Sequence, residues 1–232
     1  MRVLLIILPL IMLSMSVSSQ SSHFSENVNI GYEVANLKRI GSNLTPDKIA
    51  ETQIAGSPYL DKRFVPSIIV KVDKSILKDL PLRYNVYTNN IEFEKKGVPF
   101  NFAVPTEIET ILLGDNVFIY TSYIASKNVN HSYFQVLTDG KYQLLKMHKV
   151  VFKKPENNSD PGDSCRFESA QPYYYLRYMD GMARKITTRK ELIKIIQPVS
   201  KEIIDYIQQQ KIKVYDETEL INTIRYINKS ID

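Results

Sequence analysis

The sequence predicts an α+β protein: an antiparallel β sandwich or small open barrel, followed by a hairpin and short C-terminal helices. Three observations carry this expectation. From Arg63 to Phe152 apolar and polar residues alternate with a period of two in short runs. Turn residues punctuate those runs about every ten residues. Beyond Ile186 the apolar spacing lengthens to that of a helix, and a capping residue precedes each stripe.

The chain begins with Arg2, an apolar run from Val3 to Leu13, and a Ser-rich stretch to Gln20. That order of charge, grease and small residues is that of a secretory leader, so residues 1–19 are expected to be removed on export. A spanning helix needs about 20 apolar residues, and this run is too short. No integral membrane span is expected after cleavage. Residues 20–59 are rich in Ser and Asn with weak periodicity, so a loosely structured N-terminal segment is expected there. Within it, Thr45-Pro46-Asp47-Lys48 suits the start of a short helix carrying Ile49 and Ile54.

An antiparallel β domain is expected over 60–153. Phe64, Ile68, Val70 and Val72 read as one face of its first strand, with Ser67, Lys71 and Asp73 mostly on the other. Leu82, Tyr84 and Val86, then Ile91 and Phe93, flank Thr88-Asn89-Asn90 and predict a hairpin with an apolar inner face. Lys95-Lys96-Gly97 offers a turn before Val98, Phe100 and Phe102, and Gly114-Asp115-Asn116 separates strands at 107–113 and 117–124. Asp139-Gly140, between Tyr133–Leu137 and Tyr142–Phe152, suits a two-residue hairpin turn, whose backbone needs positive φ angles.

Residues 154–170 contain KPENNSDPGD and read as a polar linker, which cannot bury surface. A hairpin plus helices is expected over 171–232. Tyr173 to Tyr178 and Met182 to Ile186 flank Asp180-Gly181. Thr188 with Glu191 caps a helix carrying Leu192, Ile195 and Ile196 that Pro198 ends; Ser200 caps a second carrying Ile203, Ile204 and Ile207; Asp216 with Glu219 opens a third carrying Leu220, Ile224 and Ile227. Helices of about ten residues do not hold alone, so their stripes must pack on a neighbour.

Composition narrows the function. Cys165 is the single cysteine, which excludes internal disulfides and leaves packing to hold the fold; pairing with a second copy is the alternative role for an exposed thiol. The formal charge of +5 comes from 30 basic and 25 acidic residues interspersed throughout, without a basic run, so no nucleic-acid partner is expected. His23, His131 and His148 have no neighbours at ligand spacing, and no G-x-S-x-G, P-loop or G-x-G-x-x-G occurs. No metal, cofactor or catalytic residue is therefore expected. The oxygen-rich stretch 157–163 lacks the ligand order of a calcium loop. Glu92 and Glu94 share a strand face and are expected to be solvated, although carboxylates brought together by folding remain an alternative route to hydrolysis. Asn43, Asn130, Asn157 and Asn228 open N-x-S/T sequences, which matter only in a host that glycosylates them.

Tyrosine is abundant, with 15 residues. Alternation puts Tyr173 and Tyr175 on one face and Tyr174 on the other. Exposed rings beside a cation suit stacking on a sugar or peptide, which makes Arg83, Tyr84, Tyr173, Tyr175 and Arg177 the candidate ligand-binding residues. The plain alternative is cross-strand pairing, since Tyr is a good strand residue.

Gly56-Ser57-Pro58-Tyr59-Leu60, then Phe64, Pro81-Leu82-Arg83-Tyr84-Asn85-Val86-Tyr87 and Ile91-Glu92-Phe93 resemble a family of uncharacterised exported proteins of Bacteroidota-type bacteria. The similarity extends over most of residues 56–229, and the P-L-R-Y-N-x-Y phrase is its specific part. It implies a periplasmic or extracellular address and no mechanism. The expected function is a non-enzymatic binding or envelope-assembly module whose partner is a glycan, a peptide or an envelope protein. The rival is an envelope hydrolase using a carboxylate pair.

Overall fold

The computed structural model describes residues 37–39, 54–154, 165–196 and 200–231. The expected leader, the Thr45-Pro46 helix, Pro198 and most of the polar linker lie outside those residues. The described strands are β1 (Leu37–Arg39), β2 (Val65–Lys71), β3 (Ile76–Asn85), β4 (Asn90–Lys95), β5 (Val98–Phe102), β6 (Ile108–Leu113), β7 (Asn116–Ala125), β8 (Asn128–Thr138), β9 (Tyr142–Lys153), β10 (Arg166–Tyr178) and β11 (Ala183–Lys185). Helices α1 (Arg189–Ile196), α2 (Lys201–Gln209) and α3 (Glu217–Ile231) follow. The chain is β-rich α+β, as the periodicities require.

All eleven strands join in the order β1-β5-β4-β3-β2-β6-β7-β11-β10-β9-β8, and β8 returns to β7. Strands β7 to β11 therefore form a closed five-stranded barrel, with the rest as an extension from β6. Five successive antiparallel strands leave the first and last pointing the same way, so closure demands one parallel pair. That pair is β7 with β11, through Ala183↔Tyr123 and Arg184↔Ile124. The open edge expected from the sequence is thus sealed, because a three-residue strand with no long-range signature of its own closes the ring. Strand β7 spans β8 along one edge, while its other edge is divided between β6 at Asn116–Phe118 and β11 at Tyr123–Ile124.

Side-chain alternation gives three cores. Ile119, Phe134, Leu145, Tyr175 and Ala183 fill the barrel. Leu82, Tyr84, Val86, Ile91 and Phe93 of the β3–β4 hairpin meet Ile111, Phe118 and Tyr133, as the expected apolar inner face requires. Tyr142, Leu144, Tyr174 and Leu176 turn outward under the helices, against Leu192, Ile196, Ile207, Leu220, Ile224 and Ile227. Burying each such aliphatic side chain contributes about 1.5–3 kcal/mol, which makes up for the marginal stability of the eight-residue α1 and nine-residue α2. The caps form as read: Thr188 Oγ1, Ser200 Oγ and Asp216 Oδ1 accept from the amides of Glu191, Ile203 and Glu219 at 3.1, 3.4 and 3.0 Å. Helix α3 runs to 15 residues, longer than the expected ten.

Other expectations need correction. In β2 the buried face carries Ser67 and Ile69, while Ile68 and Val70 are half-buried on the other face. Burial of Ser67 is possible because its hydroxyl donates to Val65 O at 2.9 Å, and a bulge between Ser67 and Ile69 shifts the register against β3. Asp139-Gly140 does not make a two-residue turn, since pairing stops at Thr138↔Leu144. The longer loop admits Asn228 of α3, which accepts from Tyr142 N at 2.9 Å and donates to Asp139 O and Tyr142 O at 3.1 and 2.8 Å. Asn228 is buried by this work, unlike the exposed Asn130. The stretch expected as linker to residue 170 becomes strand at Arg166, where β10 pairs with β9 down to Lys153. Pro172 lies within β10 at a bulge, opposite His148, where a missing amide costs no ladder bond.

The end of the expected loose segment is also fastened. Phe167 N donates to Ala55 O at 2.9 Å, and Val86 N donates to Pro58 O at 2.7 Å. Gly56 has φ +78°, and a Cβ there would lie 2.1 Å from Phe167 O. Only glycine lets this strap approach β10 so closely.

Candidate functional site

The sequence-predicted ligand residues fall in two separate places. Arg83 lies on the outer face of β3, where its Nε donates to Glu92 Oε2 at 2.7 Å and its Nη2 to Tyr59 Oη at 2.7 Å. Its guanidinium also packs on the Tyr59 and Phe64 rings, 3.8 and 4.3 Å from their centroids. Asn85 Nδ2 donates to Glu92 Oε1 at 2.9 Å. Glu92 is 2% exposed, so the solvated carboxylate expected there is instead a buried one, satisfied by Arg83 and Asn85 beneath the strap. These are the residues of the P-Y-L, R-Y-N and I-E-F phrases. Their arrangement explains them as a structural knot rather than a ligand surface. Tyr84, the next residue, points the other way and is 1% exposed, its hydroxyl without a partner among the described residues and its ionisation pushed up by burial.

The others belong to the barrel. Tyr175 is 4% exposed against Phe134 and Tyr123, at ring distances of 5.0 and 5.5 Å, and burial pushes its phenol up to about 12. Arg177 is half-buried near one end, donating to Gln143 Oε1 from Nε at 2.8 Å and Nη2 at 2.5 Å, and to Thr121 Oγ1 at 3.2 Å. Burial lowers its guanidinium, while Asp180 and Asp139 hold it up. Tyr173 is half-buried, shares its face with Tyr175 as alternation predicts, and is flanked by cations: Lys149 Nζ donates to its hydroxyl at 2.9 Å, and Lys185 Nζ lies 3.3 Å from its ring centre. Neither Tyr84 nor Tyr175 offers a ring face to a ligand.

A half-open cleft of about 390 Å³ lies elsewhere among the described residues, between the β10–β11 turn and α1. Tyr142, Leu176 and Ile195 make its floor, Tyr178, Gly181 and Met182 its lip, and Arg184 and Lys194 its charged side. The floor is rigid. Tyr142 donates its hydroxyl to Ile196 O at 2.8 Å, which ties β9 to the end of α1, and its ring lies 4.8 Å from that of Tyr178. The lip is open, with Tyr178 49% and Met182 44% exposed. Neither Arg184 nor Lys194 forms an ion pair among the described residues. A volume within the ~300–1,000 Å³ of small-ligand sites, an apolar floor and two unneutralised cations suit a compact molecule with an apolar body and an acidic group.

Sequence reasoning did not reach these residues. Arg184 is visible as a cation in a predicted strand, and Lys194 as a charge beside an apolar helical stripe, but only the β11 closure places them together. Among the described residues no three His, Cys, Asp or Glu side chains converge as a metal site, and no helix is long and apolar enough to cross a membrane. His148 is a largely buried strand residue whose Nε2 meets Gln135 Oε1 at 2.7 Å. Its burial, with Lys146 nearby, lowers the imidazole to about 4 despite Glu217. In comparison with known proteins, no family model matches the chain, and no curated protein or solved structure matches it.

Proposed function

We propose that the protein is an exported, non-enzymatic binding module, and that the cavity beneath the β10–β11 turn holds a small amphipathic acid. One observation carries this reading. Arg184 and Lys194, without carboxylate partners among the described residues, stand beside a floor of Tyr142, Leu176 and Ile195. An apolar body displaces water from that floor, and an acidic group meets the cations at the side. The leader-like first nineteen residues and the resemblance to exported proteins support the address.

Naphthoate, a fluorescent aromatic carboxylate, is a suitable probe. Its fluorescence anisotropy should rise saturably with protein. Arg184→Gln with Lys194→Gln should weaken it at least tenfold, whereas the neutral methyl ester should bind poorly to both proteins. Equal binding of acid and ester, or an unchanged affinity in the double variant, refutes the assignment. Detection of the protein only in the cytosol refutes the export.

A further inference from the structure

We propose a second site, formed by Lys149, Tyr173 and Lys185, that binds a tetrahedral oxyanion, either a sulfate or a phosphate group. It goes beyond the cavity reading and does not depend on it. Arg184 and Lys185 are consecutive in β11, and strand alternation sends their side chains to opposite faces. The site is assembled from three strands: Lys149 from β9, Tyr173 from β10 and Lys185 from β11.

The two ammonium groups converge on one ring. Lys149 Nζ is 5.0 Å and Lys185 Nζ 3.3 Å from the centre of Tyr173, so they can be no farther apart than the sum of those distances. Neither pairs with a carboxylate among the described residues. Their neighbours differ. Lys146 and Lys153, on the same strand as Lys149, reach Glu217 and Glu168, each at 2.6 Å. Like charges held together without a counter-charge repel, and an anion between them removes that cost.

The phenol completes the donor set. Its oxygen accepts from Lys149, so its own proton is free for a ligand. Lys149 retains two further N–H bonds, and Lys185 has all three. One ammonium stands at the phenol oxygen and the other above the ring, so together with the phenol they offer several donors to the oxygens of one tetrahedral group. The occupied ring face also replaces the sugar-stacking role expected of Tyr173 with a polar one. In support, the two lysines hold this phenol below its ordinary range, the hydrogen bond from Lys149 most of all, whereas burial raises those of Tyr84, Tyr120, Tyr133, Tyr142, Tyr174 and Tyr175.

The test is NMR of the full chain carrying ¹³C-labelled tyrosine rings, titrated with inorganic phosphate against chloride at matched ionic strength. The Tyr173 resonance should shift and saturate with phosphate, not with chloride. Lys149→Gln or Lys185→Gln should weaken the binding at least tenfold, and Lys190→Gln, on the exposed side of α1, should leave it unchanged. Dextran sulfate and unmodified dextran separate the sources. Saturation at lower group concentration with dextran sulfate assigns a polymer-borne ester, and a response to phosphate alone assigns the free ion. A resonance that does not saturate with either anion, or a loss as large in Lys190→Gln, overturns the proposal. Naphthoate binding in Lys185→Gln should match the parent protein, so this site and the cavity fail separately.

Discussion

Replacing Glu92 by leucine removes two hydrogen bonds, from Arg83 Nε at 2.7 Å and from Asn85 Nδ2 at 2.9 Å. It also leaves a guanidinium only 14% exposed without a counter-charge. Such a group cannot shed its proton and reaches little water beneath the strap. The expected loss is about 3–5 kcal/mol, a large share of the ~5–15 kcal/mol that holds a typical domain. Changing Arg83→Met in the same chain removes the stranded charge and fills the space between the Tyr59 and Phe64 rings with apolar atoms. What remains is the unpaired Asn85 amide, at about 1–2 kcal/mol, and a lost cation–π contact of about 1 kcal/mol. The double variant should therefore be more stable than Glu92→Leu alone. Urea unfolding followed by tyrosine fluorescence measures this. With a slope of ~1–3 kcal/mol per molar urea, the single change should lower the midpoint by about 1–5 M. Effects of the two substitutions that simply add, or a cost below about 1 kcal/mol for Glu92→Leu, would show that the pair is solvated in solution and that the strap does not cover it.

Asn228→Ala deletes three hydrogen bonds that close the Asp139–Gln143 loop over α3, and should cost about 2–4 kcal/mol in urea unfolding, with fast hydrogen exchange at Tyr142 N as the local sign. His148 ionises at about 4 when folded and near 6.5 when not, so the unfolded chain takes the proton first as the pH falls. Its contribution is present above pH 6.5 and is lost down to about 4, at about 1.4 kcal/mol per pH unit or about 3 kcal/mol in all, and His148→Gln should flatten that part of the pH profile.

The sequence reads well where a local rule acts alone. Period-two alternation placed Leu82, Tyr84, Ile91 and Phe93 on a buried face, and capping residues marked the starts of all three helices, because those signals need no distant partner. It reads poorly where a covering segment changes the environment. Glu92 looks solvated until the strap from Ile54 to Arg63 is laid over it, and Ser67 looks outward until its hydroxyl finds Val65 O. The candidate sites were harder still. Arg184 sits on a three-residue strand and Lys194 on a helix, and the two meet only in lining one cleft, while Lys149, Tyr173 and Lys185 come from three adjacent strands.

The parallel seam between Tyr123–Ile124 and Ala183–Arg184 sets a timetable. A chain made from its N-terminus has β7 ready some sixty residues before the strand that must lie beside it, and a loop of that length is slow to close. Until β11 has been made, the ribbon of β7 to β10 lacks the strand that seals it. The seal comes last, and with it the site on either side of β11.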